Sequence, residues 1–421
     1  MKSPRSINDH QHHPLLPSKS CRKRQATISV SPQTPKRRRV QDRDVDSDVD
    51  ADETPRVSGT QGRQTYQPQL RTASPATSMP PLSEYQSTQS QSSRQSSPPK
   101  QLAVLELNPE GIEIRALSPD DKSLPSALSK LLLDFEMCSS GFHIIPSSIE
   151  PEIKERAKKD PKFHAFLPHM YASPQERDAL GSTPPIDEVA KLVKDAAEAQ
   201  ASRQNEAAWN MMVHWPLLDN AIYNRWRQNQ LVGFACCTTA NIIKEYLPIS
   251  CQSKMVDFGI YILPEAEPSS ETTEAIQALR QVLPYNVINH TDFFPLRDLP
   301  LAVSIESKKR YCTNLEMAEL QLGTWHAAQW KFLGDLVGRS GGSFDGLPFL
   351  PAVIVNGHDW SFAATTKAGR KTILWMEKGF GSTDCLVGVF RAVCGLQRLA
   401  KWAREVYWPW YKRNALGIST V

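Results

Sequence analysis

The chain has 421 residues, with 49 Lys and Arg against 45 Asp and Glu and a formal net charge of +4. No apolar run is long enough to span a bilayer and no apolar signal segment opens the chain, which argues against a membrane span or a secretory leader. The eight cysteines, Cys21, Cys138, Cys236, Cys237, Cys251, Cys312, Cys385 and Cys394, contain no Cys-x-x-Cys pair. Zinc-knuckle spacing is therefore excluded, and reduced thiols in an intracellular compartment are expected.

Residues 1–100 hold no Trp and no Phe and are dominated by Ser, Thr, Gln and Pro. Such a stretch buries too little apolar surface to offset its ordering entropy, so a disordered tail is expected. Within it, Arg22, Lys23 and Arg24 form one basic cluster and Lys36, Arg37, Arg38 and Arg39 a second, with eleven residues between them. The spacing matches a bipartite nuclear-import address read by an import receptor, so a nuclear location is expected, with the cytoplasm as the alternative. A loosely nucleic-acid-binding basic tail would look the same. An acidic block from Asp42 to Glu53 follows.

Residues 101–200 read as a helical N-terminal part of the globular region. Ala103 to Leu107 has the alternation of a short strand or extended segment, and Ser123 to Glu136 has a broad apolar helical face. Further helices are expected over Ser148 to Lys159, with Ser148 as cap, and over Pro185 to Ala201. The core spans residues 201–412, with 413–421 as a C-terminal tail. Its expected elements begin with a helix running on from Ser202 to His214 and an ambiguous run from Leu231 to Thr239. A strand over Lys254 to Leu263, an amphipathic helix over Ser269 to Val282 and a strand over Pro300 to Ser307 follow. A long helix from Asn314 to Gly338 comes next. Asn356-Gly357 marks a hairpin between Pro351–Val355 and Trp360–Ala364. A strand from Lys371 to Met376 and a final helix to about Tyr411, capped from Ser382-Thr383-Asp384, complete the chain. Strands mixed with helices give an α/β class, more closely an α+β mixed sheet.

The most informative stretch is Pro300-Leu-Ala-Val-Ser-Ile-Glu-Ser-Lys308. Strand alternation sends Glu306 and Lys308 to one side and Ser307 to the other. Asp257 sits in a second apolar run. A carboxylate inside an apolar strand is costly unless paired or ligating. Two carboxylates suit a hard divalent cation such as Mg²⁺ or Mn²⁺, and an ammonium beside them suits a phosphate oxygen or an attacking water. Asp257, Glu306 and Lys308 are thus the candidate catalytic set, with Gln321 on the following helix as a further contact to phosphate or water. Asp257 and Glu306 are the candidate metal ligands, and Glu206 is a third. Lys309 and Arg310 extend a basic run suited to a nucleic-acid backbone. The competing reading is a solvated strand end with an ion pair. His290 is more simply structural, and the Trp402, Trp408 and Trp410 stripe more simply core.

The order Asp, then Glu-x-Lys, on successive strands resembles the PD-(D/E)xK nucleases of the restriction-endonuclease-like superfamily. The blocks Glu206-Ala-Ala-Trp209, Val256-Asp-Phe258, Ile305-Glu-Ser-Lys308, Gln321-Leu-Gly-Thr-Trp325, Gly357-His-Asp-Trp360 and Tyr407-Trp-Pro-Trp410 resemble a fungal branch of it, over roughly residues 125–412. The resemblance implies an αβββαβ core, here with added helices and a hairpin. It also implies metal-dependent hydrolysis of DNA phosphodiesters with Asp257, Glu306 and Lys308 in the site. Val256 stands where the family motif has proline, and the interval between Asp257 and Glu306 is long. The alternative within the same fold is a catalytically silent module that binds nucleic acid or protein.

Overall fold

The computed structural model describes residues 97–118, 121–223, 230–248, 255–309 and 315–418. The tail with its basic clusters between Arg22 and Arg39 lies outside them, as does Arg310.

The first half is mainly helical: α1 (Pro98–Leu107), β1 (Ile112–Ala116), α2 (Ser126–Ser139), β2 (Ile145–Pro146), α3 (Glu150–Ala157), β3 (Tyr171–Ala172), α4 (Pro174–Asp178), α5 (Ile186–Ala201), α6 (Glu206–Trp209) and α7 (Trp215–Ile222). The second half adds β4 (Val232–Cys236), β5 (Phe258–Ile262), α8 (Glu271–Val282), β6 (Leu301–Lys308), α9 (Leu315–Ser340), β7 (Leu350–Asn356), β8 (Asp359–Ala368), β9 (Lys371–Ser382), α10 (Leu386–Trp402) and α11 (Trp408–Asn414). One π turn, Asn210–His214, joins α6 to α7, and another, Ala403–Tyr407, joins α10 to α11.

Seven strands form one mixed sheet in the order β1-β9-β8-β7-β6-β5-β4. β6 and β7 are parallel, β1 and β9 are parallel, and the remaining pairs are antiparallel. β2 and β3 pair separately. In β8, Phe362 stacks on Phe135 of α2, whereas Thr365 hydrogen-bonds His326 and Trp330 of α9. Residues three apart on a strand face opposite ways, so α9 covers one side of the sheet and α2 with α10 the other. Helices on both sides explain why β6 and β7 are buried almost end to end and read as continuous apolar runs. At Gly395 of α10 a side chain would run into the Phe380 ring, so glycine permits the close approach of that helix to β9.

The mixed sheet and its helices bear out the expected α/β class. Several elements differ in detail. Ala103 to Leu107 is helical within α1, not extended: Pro98 and Pro99 preset the first turn, and the helix packs on α9, which overrides the local alternation. β1, unforeseen, pairs with β9 at the sheet edge. The helix expected to run on through Ser202 breaks there, because Arg203 takes a positive φ of 49° and Asn205 restarts a helix by accepting the Ala208 N–H at 2.9 Å. Ser148 does not cap; it lies in a short 3-10 turn before α3. β5 starts only at Phe258, leaving Asp257 just ahead of the strand. The hairpin turn sits one residue later than expected, at Gly357-His358 with Asn356 opposite Asp359, and Gly357 supplies the positive φ. Cys385, accepting the Gly388 N–H through Sγ, replaces Ser382 to Asp384 as the cap of α10. Trp402, Trp408 and Trp410 are buried, as a core stripe should be.

Candidate active site at the end of β6

β6 runs buried from Leu301 through Ser307 and emerges only at Lys308. Its neighbours bring the candidate residues to that end. Phe258 stands opposite Ile305, and the Asp257 N–H donates to the Ile305 carbonyl at 3.0 Å. The Asp257 carbonyl in turn accepts the Cys237 N–H at 2.7 Å, which ties the start of β5 to the end of β4. On the other flank Lys308 lies level with Asn356 of β7. The α6 turn brings Glu206 over the strand end.

The Lys308 ammonium lies 2.7 Å from Glu306 Oε1 and 3.4 Å from Glu206 Oε2. Glu306 and Lys308 therefore do share a side of the strand. The 2.7 Å approach makes Glu306 Oε1 and the ammonium a buried ion pair, and leaves Glu306 Oε2 buried with no hydrogen-bond partner. Glu306 is 1% exposed. Burial drives its carboxyl well above the ordinary range against the pull of Lys308, and the nearby Asp257 and Glu206 charges raise it further. Burial works the other way on Lys308, but the carboxylates around it outweigh that and raise its pKa. Two carboxylates thus contact one ammonium and a third, Asp257, acts on it from farther off, an excess of negative charge in a low-dielectric setting.

Asp257 is held differently. Its Oδ2 accepts the Ser307 N–H at 2.7 Å and the Ser307 hydroxyl at 2.8 Å, and its Oδ1 accepts Asn210 Nδ2 at 3.0 Å. Because β5 begins after Asp257, the carboxylate satisfies the Ser307 N–H where a ladder carbonyl would otherwise be needed. The Ser307 hydroxyl also lies 2.7 Å from Asn210 Oδ1. His214 braces the Asn210 amide through Nδ1 at 2.8 Å and reaches the Gly357 carbonyl through Nε2 at 3.1 Å. Burial lowers the His214 pKa to about 4. For Asp257 burial is also the largest influence and raises its pKa, opposed by Lys308, Ser307 and Asn210. Asn210, His214 and the side chain of Ser307 were not among the groups singled out from the sequence, which points at Ser307 only to its backbone carbonyl as a further metal ligand. The four-residue steps Glu206, Asn210, His214 carry the available signal, since they set these polar groups along one side of a helical turn.

The residues fit a hard cation in part. Glu306 offers a buried Oε2 without a donor, and Asp257 Oδ1 keeps acceptor capacity beyond its single bond. Among the described residues no group of three or more His, Cys, Asp or Glu is arranged to hold a metal ion. Two carboxylates suffice for Mg²⁺, which characteristically keeps several waters and takes the remaining ligands from substrate phosphate. Glu206 faces Lys308 in this arrangement.

Gln321 of α9 donates through Nε2 to the Met255 carbonyl at 3.4 Å, two residues before Asp257, and its Oε1 is buried without a partner. It thus contacts the segment that leads into Asp257. Lys309 is exposed at the strand end. His290 is fully buried against Trp325, with ring centroids 4.4 Å apart, and takes no part. Among the described residues no helix is long and apolar enough to cross a membrane.

Residues 152–408, more than half of the chain, match the model of the PD-(D/E)XK nuclease superfamily. No curated protein and no solved structure matches the chain. The matched span covers α6, the π turn and the sheet from β4 through β9, and so takes in every residue of the charge cluster. This chain belongs to the PD-(D/E)XK nuclease superfamily.

Proposed function

We propose that this protein is a Mg²⁺-dependent nuclease that hydrolyses DNA phosphodiester bonds at the end of β6. The observation that carries the reading is Glu306: a fully buried carboxylate, ion-paired with Lys308 through Oε1, whose Oε2 has no hydrogen-bond donor and which feels the Asp257 charge. Asp257 and Glu306 would hold the cation. Bound there, it supplies positive charge against the scissile phosphate. Lys308 orients the attacking water or steadies charge developing on phosphate oxygen, and the exposed Lys309 meets the backbone. Ser307 and Asn210 keep the Asp257 carboxylate in place. The basic clusters Arg22 to Arg24 and Lys36 to Arg39 would deliver the protein to the nucleus through an import receptor.

A second reading has its own support. Asp257 is engaged by three donors, and Lys308 is contacted by two carboxylates. A site so satisfied suits a module that binds nucleic acid or protein without cutting. Purified full-length protein incubated with supercoiled plasmid and with single-stranded DNA, in Mg²⁺, Mn²⁺ or EDTA, separates the two. Metal-dependent nicking lost in Glu306→Ala and Lys308→Ala supports the nuclease. Retention of DNA without nicking in any metal supports the module.

A further inference from the structure

Behind the sheet, on the side covered by α2 and α10, a second set of buried polar groups takes no part in the β6 site. Cys138, in the last turn of α2, and Cys394, in the middle of α10, are both fully buried, and their sulfurs lie 3.4 Å apart. Arg398, one turn beyond Cys394, donates Nε to Cys138 Sγ at 3.1 Å while its other arm pairs with Asp134 at 2.9 Å.

Arg177 of α4 lies within electrostatic reach of both thiols. It is 1% exposed. Its Nε donates to the Ile144 carbonyl at 2.7 Å and Nη1 to the Gly181 carbonyl at 3.2 Å, while Nη2 has no partner. Neutral carbonyls orient a guanidinium but do not balance its charge. No carboxylate among the described residues forms an ion pair with Arg177. A buried cation without a counter-charge is strongly unfavourable. Burial lowers its pKa, opposed by the negative charge that Cys394, Cys138 and Asp178 can carry. A thiolate on this pair would sit against the Arg398 guanidinium that already donates to Cys138. The Cys138 hydrogen bond foremost, then Arg177 and Arg398, lower the Cys394 thiol against burial, while the Cys394 hydrogen bond and burial raise Cys138.

We propose that Cys138 and Cys394 form a redox modification site, oxidised by hydrogen peroxide to a disulfide that joins α2 to α10. The Cys394 thiolate attacks the peroxide oxygen, the O–O bond breaks, and Cys394 becomes a sulfenic acid as hydroxide leaves. The Cys138 sulfur then attacks the Cys394 sulfur, the S–O bond breaks, and water leaves with the Cys138 proton. Two thiols lose two electrons and one peroxide gains them. Closing the sulfurs to bonding distance, about 2.05 Å, asks for a movement of about 1.4 Å. Because both thiols are buried, the reaction waits on local opening and runs more slowly than oxidation of the exposed Cys236 and Cys385.

The full-length protein treated with graded hydrogen peroxide, alkylated with N-ethylmaleimide and digested without reductant tests this. The expected product is a peptide pair linked through Cys138 and Cys394, two hydrogens lighter than the separate thiols and released by dithiothreitol. In Cys138→Ala the link is lost and dimedone traps a sulfenic acid at Cys394. The native chain carries the decision without the variant. Recovery of Cys138 and Cys394 as alkylatable thiols until circular dichroism shows unfolding, or their conversion to sulfinic acids with no linked pair, overturns the proposal.

Discussion

Two places on β6 and its neighbours hold buried polar atoms without partners, and they differ in kind. At the strand end, Glu306 is buried beside Lys308, Glu206 and Asp257, with Lys308 14% and Glu206 28% exposed at the side chain. On the sheet side under α9, His290 has no partner on either ring nitrogen, and His326 bonds Thr365 at 2.8 Å but leaves Nε2 unpaired. The histidines answer burial by staying neutral: both are lowered, His326 to about 3. Glu306 stays beside an ammonium whose own proton is held more tightly. An unpartnered buried atom alone therefore does not mark a site. Opposed formal charges with a path to solvent do, because they leave something for a cation or phosphate to satisfy.

That contrast can be broken most forcefully at Lys308. Lys308→Met leaves three carboxylates without their ammonium, and a loss of about 3–5 kcal/mol in urea unfolding at pH 8 is expected. Adding Glu306→Gln to it should restore most of the loss. If the single variant unfolds like the native chain, the pair is a solvated strand end after all.

The histidine side is tested by acid. The folded His326 binds its proton far less readily than the unfolded chain, so its contribution to stability is complete above pH 6.5 and lost as the pH falls toward about 3. A fall on the order of 3 kcal/mol between pH 7 and 4 is expected, with a flatter slope in His326→Gln. Thermal melts across that range read it directly.

Asp257→Asn comes next in size. Three donors converge on the carboxylate, and an amide offers one acceptor oxygen and a competing NH₂. The loss should be about 1–3 kcal/mol, along with weaker Mg²⁺ binding. Equal stability combined with unchanged Mg²⁺ titration heat would remove Asp257 from the site.

The smallest expected change has the opposite sign. Glu306 has a raised pKa, so its stabilising contribution is complete below the ordinary carboxyl range near 4.5 and is lost as the pH climbs through the raised value. In EDTA at pH 8, Glu306→Gln should therefore melt a few degrees higher than the native protein, about 1 kcal/mol. Mg²⁺ should raise the melting temperature of the native chain and leave that of the variant unmoved. Separately, deleting residues 1–45 should leave melting unchanged and abolish nuclear enrichment of a tagged chain.

Much of this was legible from local order. The apolar run ending in Glu306-Ser-Lys308 specified a buried strand and the shared side of its two charges, because alternation is a property of the backbone itself. The long helix after it, the hairpin glycine and the buried tryptophan stripe likewise follow from local conformational preference and apolar periodicity. What pairing decided lies elsewhere. Asp257 looked like a residue inside a strand, yet β5 begins after it, and only the ladder to β6 reveals that its carboxylate stands in for a missing carbonyl. The α1 segment carries a strand-like alternation that its packing on α9 overrides. Asn210 and His214 gain their roles from a π turn that meets a strand 97 residues away in the chain at Ser307. The Cys138 and Cys394 contact spans 256 residues. Strand and helix tendencies are local energies written into neighbouring residues; the meeting of distant side chains depends on the whole sheet closing, so it is settled only in three dimensions.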